Sequence, residues 1–87
     1  MEAGKHIVHE LAEQFCEEIE DANKYLDLAA EADEDGMRGT AKALRMIAHE
    51  EMTHAKFLRD DLRIMHHFDT EKEEKWEKLL SRMELNT

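Results

Sequence analysis

Two apolar seams, each broken once by a carboxylate, constrain this chain more than any other feature. From Val8, steps of three and four residues give Val8, Leu11, Phe15, Glu18, Ala22, Tyr25, Ala29 and Ala32. The same steps in the second half give Ala41, Leu44, Ala48, Glu51, Ala55, Leu58, Leu62 and Met65. Such spacing lines up side chains on one face of an α-helix. Narrow seams of this kind suit helices packed at about +20°, as in bundles. No proline interrupts either run, and the only glycines are Gly4, Gly36 and Gly39. With 39% of residues charged and no alternating apolar stretch, the chain reads as all-α.

Three helices are predicted, at about 5–34, 37–67 and 70–84. Gly36 follows Asp33-Glu34-Asp35 and is a natural left-handed residue to close the first helix. Thr70 with Glu73 forms a capping box at the start of the third. Trp76, Leu79, Leu80 and Met83 then make a stripe at helical spacing. A helix of about 14 residues is marginal alone, so this stripe must pack on the hairpin or on a neighbouring subunit, and a subunit contact is expected. Residues 1–87 read as one domain, an antiparallel two-helix hairpin plus a short C-terminal helix. A chain of 87 residues buries only about 60–65% of its unfolded surface. Oligomerisation is therefore expected, with two hairpins pairing into a four-helix bundle.

The formal net charge is −10. Its sign argues against nucleic acid and anionic membranes as partners and favours cations. Between Lys5 and Asp35 the basic residues Lys5 and Lys24 face eleven Asp and Glu residues, most of which read as a solvated helix face. No run is apolar enough for a membrane span, and Cys16 is the single cysteine, so a cytoplasmic protein is expected. Cys16 itself reads as a small half-buried residue, and the methionines as packing. The run His49-Glu50-Glu51-Met52-Thr53-His54 is not a zinc-protease motif, because that motif needs histidines four apart on one face. Here they are five apart, about 140° around the helix. His6, His9, His49, His66 and His67 read as surface or interface residues.

A buried, unpaired carboxylate is costly and finds a proton or a cation. The hairpin spacing brings the two seam carboxylates to one level. Glu18 lies 18 residues before Gly36 and His54 lies 18 after it; Glu51 is less than one turn from His54. Glu18, Glu51 and His54 are thus candidate metal ligands on facing helices. Glu50 is the rival to Glu51 but lies outside the seam. Tyr25 lies seven residues after Glu18 on the same face, either supporting a ligand carboxylate or packing in the core. Ferritin-like di-iron sites take one Glu from each of two helices and a Glu-x-x-His pair from each of two others. This chain supplies half of that set, and a two-fold partner would supply the rest. Carboxylates suit hard cations, and imidazole favours iron or zinc over calcium and magnesium.

The stretch Glu17-Glu18-Ile19-Glu20-Asp21-Ala22-Asn23-Lys24-Tyr25, followed by His49-Glu50-Glu51-Met52-Thr53-His54-Ala55, resembles the encapsulated ferritin-like family. More distantly it resembles one half of a rubrerythrin-type bundle. The resemblance covers roughly residues 7–83, including the third helix with Trp76. It implies a ferroxidase centre shared across a dimer, with Glu18, Glu51 and His54 as ligands and Tyr25 nearby. Glu17 and Glu20 match acidic positions that bind metal along the access route in that family. It also implies dimers assembled into an annular decamer, housed in an encapsulin nanocompartment. Two departures stand out: Lys24 replaces an aromatic residue before the tyrosine, and the chain ends Glu84-Leu85-Asn86-Thr87 without a Gly-Ser-Leu-like docking peptide.

The expected function is ferroxidase activity serving iron storage or detoxification, with one di-iron centre per dimer and zinc, manganese or calcium as substitutes. One alternative is a rubrerythrin-like peroxide reductase, which would need an external electron donor because a single cysteine cannot build a four-cysteine rubredoxin site. Another is a metal-binding helical oligomerisation module without turnover.

Overall fold

A computed structural model describes residues 2–66 and 70–85. Three helices follow one another: α1 (Glu2–Glu34), α2 (Arg38–His66) and α3 (Thr70–Leu85). No strand occurs among the described residues. The helices begin and end within about three residues of the sequence-based bounds. His67 and the Thr70 side chain of the expected capping box lie outside the described residues.

The α1–α2 turn forms because the last carbonyls of α1 find donors across a left-handed glycine. The Gly36 φ is +77°. The Met37 amide donates to the Ala32 carbonyl at 2.8 Å, and the Gly36 amide donates to that of Asp33 at 3.1 Å. These are the six-to-one and five-to-two bonds of a Schellman motif. The Met37 carbonyl then accepts from the Ala41 amide at 2.9 Å and opens α2.

Both seams pack as the spacing requires. Phe15, Ala22, Ala29 and Ala32 of α1 are buried, as are Ala41, Ala48, Ala55 and Leu62 of α2. The run of alanines lets the two backbones approach closely near the turn, where Ala29, Ala32 and Ala41 form their own small cluster with Leu44.

The third helix departs from expectation. Its stripe does not wait for a neighbouring subunit: Trp76, Leu79 and Met83 are buried in the same core as Phe15, Ile19 and Leu26. The reason is a second apolar stripe on α1. Ala12, Ile19 and Leu26 each follow a seam position by one residue, about 100° further round the helix, and they face α3. The Phe15 and Trp76 rings sit tilted at 41° with centroids 6.2 Å apart. The Arg59 guanidinium lies 5.6 Å from the Trp76 ring centre and donates to Glu73 at 3.1 Å, joining α2 to α3. Arg82 ties the other end down by donating to Asn23 and Asp27 on α1.

The molecule is a rod of 53 × 20 × 15 Å. Its radius of gyration, 14.8 Å, exceeds the roughly 12 Å of a compact chain this long. One side of the hairpin is covered by α3. The other carries Glu18, Glu51 and His54 and stays open.

Candidate metal centre

Glu18 projects from the middle of α1, and Glu51 and His54 from the middle of α2, one turn apart. One ligand atom from each lies within 4.8 Å of the others. This is the group that the antiparallel register predicts. The Glu18 side chain is 13% exposed, whereas that of His54 is 59% exposed. The group therefore sits at the rim of the core with its imidazole turned outward.

The two oxygens of Glu18 have different surroundings. Oε1 accepts a hydrogen bond from Gln14 Nε2 at 2.9 Å. Oε2 is buried and receives no hydrogen bond from the described residues. It lies 3.7 Å from His54 Nδ1. A buried acceptor left unmade is expensive, and two routes satisfy this one. A proton on Glu51 turns that carboxyl into a donor to Glu18, or a cation takes the proton's place.

The electrostatics favour the first route when no cation is present. The Glu51 pKa is pushed up to about 7, chiefly by its hydrogen bond to Glu18, with burial and the charges of Glu18 and Asp21 adding to it. Burial also acts to raise the Glu18 pKa, but hydrogen bonds from Glu51 and Gln14, with the nearby His54, outweigh it and hold the group below the usual range. As pH falls through about 7 the pair takes up one shared proton, the arrangement two like charges adopt when crowded together.

The remaining predicted residues take other places. Tyr25 packs, half-buried, against the core cluster and is not in the ligand group. Glu17 and Glu20 are exposed, about 100° and 160° round the helix from Glu18, and neither joins the group. Glu50 lines a separate surface cavity of about 400 Å³ with Lys42, Arg45, His49 and Met46, so the preference for Glu51 agrees with the geometry. His9 pairs with Glu13 at 3.0 Å on the exposed surface.

Sequence reasoning missed two neighbours. Gln14 contacts Glu18 directly, and Asp21 is an acidic residue whose charge reaches Glu51. Their positions, four before and three after Glu18, were the available signal.

A family model for rubrerythrin matches residues 10–85, a span holding the whole ligand group and most of all three helices. The chain belongs to the rubrerythrin family. No curated protein and no solved structure matches it. Rubrerythrin-family membership makes it a ferritin-like protein of the di-iron type, a family that typically binds iron. In this rubrerythrin-family chain the Glu18–Glu51–His54 group is the one set of at least three such side chains, among the described residues, placed to hold an ion. No helix among the described residues is long and apolar enough to cross a membrane.

Proposed function

We propose that this chain is a ferroxidase whose di-iron centre is completed by a second copy of itself. The observation that carries the reading is the buried, unsatisfied Glu18 Oε2 facing Glu51 and His54 on the open side of the hairpin. Two carboxylates and an imidazole fit iron by donor chemistry. Two copies supply four carboxylates and two imidazoles, the ligand set of a ferritin-like di-iron site.

Surface area supports the pairing. The chain exposes 6254 Å², against about 5,300 Å² for a folded monomer of this length. Ile7, Leu28 and Ile47 are exposed on the helix sides that flank the group and would be covered by a partner. A two-fold axis through this face makes the contact self-complementary.

Ferrous iron is the substrate. Two Fe²⁺ ions each release one electron, and dioxygen takes up two electrons and two protons to leave as hydrogen peroxide. The protein's own part is to hold charge and protons. Glu51 gives up its proton as a cation arrives, and the four carboxylates of the dimer offset the added positive charge. Glu17 and Glu20, with Asp21 closer in, gather cations from solvent. Tyr25 sits two turns along the same face, where it would buttress the site. By the resemblance to the encapsulated ferritin-like family, dimers of this kind would assemble further into an annular decamer.

The test is the initial rate of iron oxidation in air, followed by the ferric absorbance. Glu51→Ala and His54→Ala are expected to fall to the protein-free rate with no stoichiometric iron uptake. Unchanged rates and stoichiometry in both would sink the proposal. The rubrerythrin family match favours a second reading, reduction of peroxide at the same centre with electrons from a separate donor. Mixing the ferrous protein with hydrogen peroxide or with dioxygen separates them, since a ferroxidase consumes dioxygen at the faster rate.

A further inference from the structure

Gln14 lies beside the ligand group without a role in the reading above. It is exposed on α1, one turn before Glu18, and a glutamine there needs no partner because water satisfies it. Its amide nevertheless turns inward to Glu18 Oε1 at 2.9 Å. The consequence falls on the other oxygen. With Oε1 occupied, Oε2 is the atom that faces His54 Nδ1, at 3.7 Å, and no hydrogen bond from the described residues reaches it.

The chemistry of the donor matters. A neutral amide fixes the carboxylate without removing its negative charge, whereas a lysine or arginine at the same position would neutralise it and repel a cation. A carboxylate oxygen that accepts a hydrogen bond keeps a second lone pair but is the weaker donor to an ion, so the other oxygen is the preferred ligand atom. Calcium takes six to eight oxygens and often a carboxylate in two-oxygen fashion, while imidazole-containing groups favour smaller transition-metal ions.

We propose that Gln14 is a positioning residue that favours Glu18 binding through Oε2 and so biases the group toward a transition-metal dication over calcium. The proposal rests on reading Glu18, Glu51 and His54 as metal ligands. It adds that selectivity is set partly by an uncharged side chain outside the ligand set. Partners of ligating carboxylates commonly govern affinity by about 10–100-fold.

The experiment titrates the full chain with Co²⁺ alone, with Ca²⁺ alone and with the two in competition. Affinity and the visible Co²⁺ absorption spectrum are the readouts. Wild type, Gln14→Leu and His54→Ala are compared, with helix content by circular dichroism confirming that each is folded. Gln14→Leu is expected to weaken Co²⁺ binding by about tenfold, to change the Co²⁺ spectrum, and to narrow the Co²⁺-to-Ca²⁺ affinity ratio. A folded Gln14→Leu variant with the wild-type ratio and spectrum overturns the positioning role and leaves the ligand group standing. If wild type binds no Co²⁺, or His54→Ala binds it equally well, the ligand reading fails and the Gln14 proposal falls with it.

Discussion

The two faces of the α1–α2 hairpin are built from the same helices and solve opposite problems. On the covered face Ile19, Leu26, Trp76, Leu79 and Met83 close over one another, and charged groups at its border are paired: Arg82 with Asp27, and Arg59 with one oxygen of Glu73, whose other oxygen is buried without a hydrogen bond from the described residues. On the open face a carboxylate oxygen is buried without a hydrogen bond from the described residues, a histidine points outward, and Ile47 stays partly exposed. One face spends its sequence on stability within the chain. The other keeps a crowded carboxylate pair beside an outward histidine, which a shared proton, a cation or a partner can complete. Strain of this kind is tolerated where function requires it.

This division is breakable from either side. The largest effect is expected on the covered face. Leu79→Ala removes a fully buried side chain and should cost about 2–5 kcal/mol of stability, read from urea unfolding. Any folded fraction should still bind metal, because Leu79 lies on the covered side. Equal loss of metal affinity in the folded fraction would show that the two faces are not independent.

On the open face the order reverses. Glu51→Gln should abolish metal binding while leaving the metal-free chain folded, since it replaces one of two crowded carboxyls with a neutral isostere. The pH dependence follows from the same pair. In the folded chain Glu51 has a pKa of about 7, raised from the ordinary 4.5, so the folded state holds a proton that the unfolded state has lost. Its contribution to stability is complete below about pH 4.5 and is lost as pH rises through 7. The lowered Glu18 pKa acts in the opposite sense. Metal-free wild type should therefore lose more melting temperature than Glu51→Gln between pH 5 and pH 8. Parallel melting curves would remove the shared proton from the account. Metal binding must displace that proton, so affinity should fall by about tenfold per pH unit below 7.

The partner-facing surface should respond more modestly. Ile47 is 37% exposed beside the ligand group. Ile47→Lys places a charge in the proposed interface and should shift native mass from dimer toward monomer with little change in helix content. A monomer that keeps wild-type metal affinity would contradict the shared site. The smallest effect is expected from Asp21→Asn. Losing one nearby negative charge lowers the Glu51 pKa and should slow cation capture about two- to threefold at low salt, less at high salt.

Much of this was legible in the sequence because it depends on helical period and on distance from one glycine. The seam positions, the Schellman closure at Gly36 and the level at which Glu18 meets Glu51 and His54 all follow from counting. The docking of α3 was not. Ile19 and Leu26 stand one residue off the main seam and look like ordinary helix residues until a third helix is available to cover them. No local sequence pattern specifies whether that helix comes from the same chain or from a neighbour. Gln14 and Asp21 carried only a faint signal, for a different reason. A glutamine and an aspartate on an exposed face are the commonest of surface residues, and only the orientation of Glu18 gives them meaning. Glu17 and Glu20 stood out by resemblance as access-route positions, and helical geometry places both on the exposed surface outside the ligand group.

The central claim is that one chain carries half a site. Its most direct test is metal content per chain measured together with native mass on the iron-loaded protein. The expected result is one iron per chain in dimers or multiples of dimers, with both the iron and the pairing lost in His54→Ala. Two irons held by a stable monomer, or dimers that bind no iron, would contradict it.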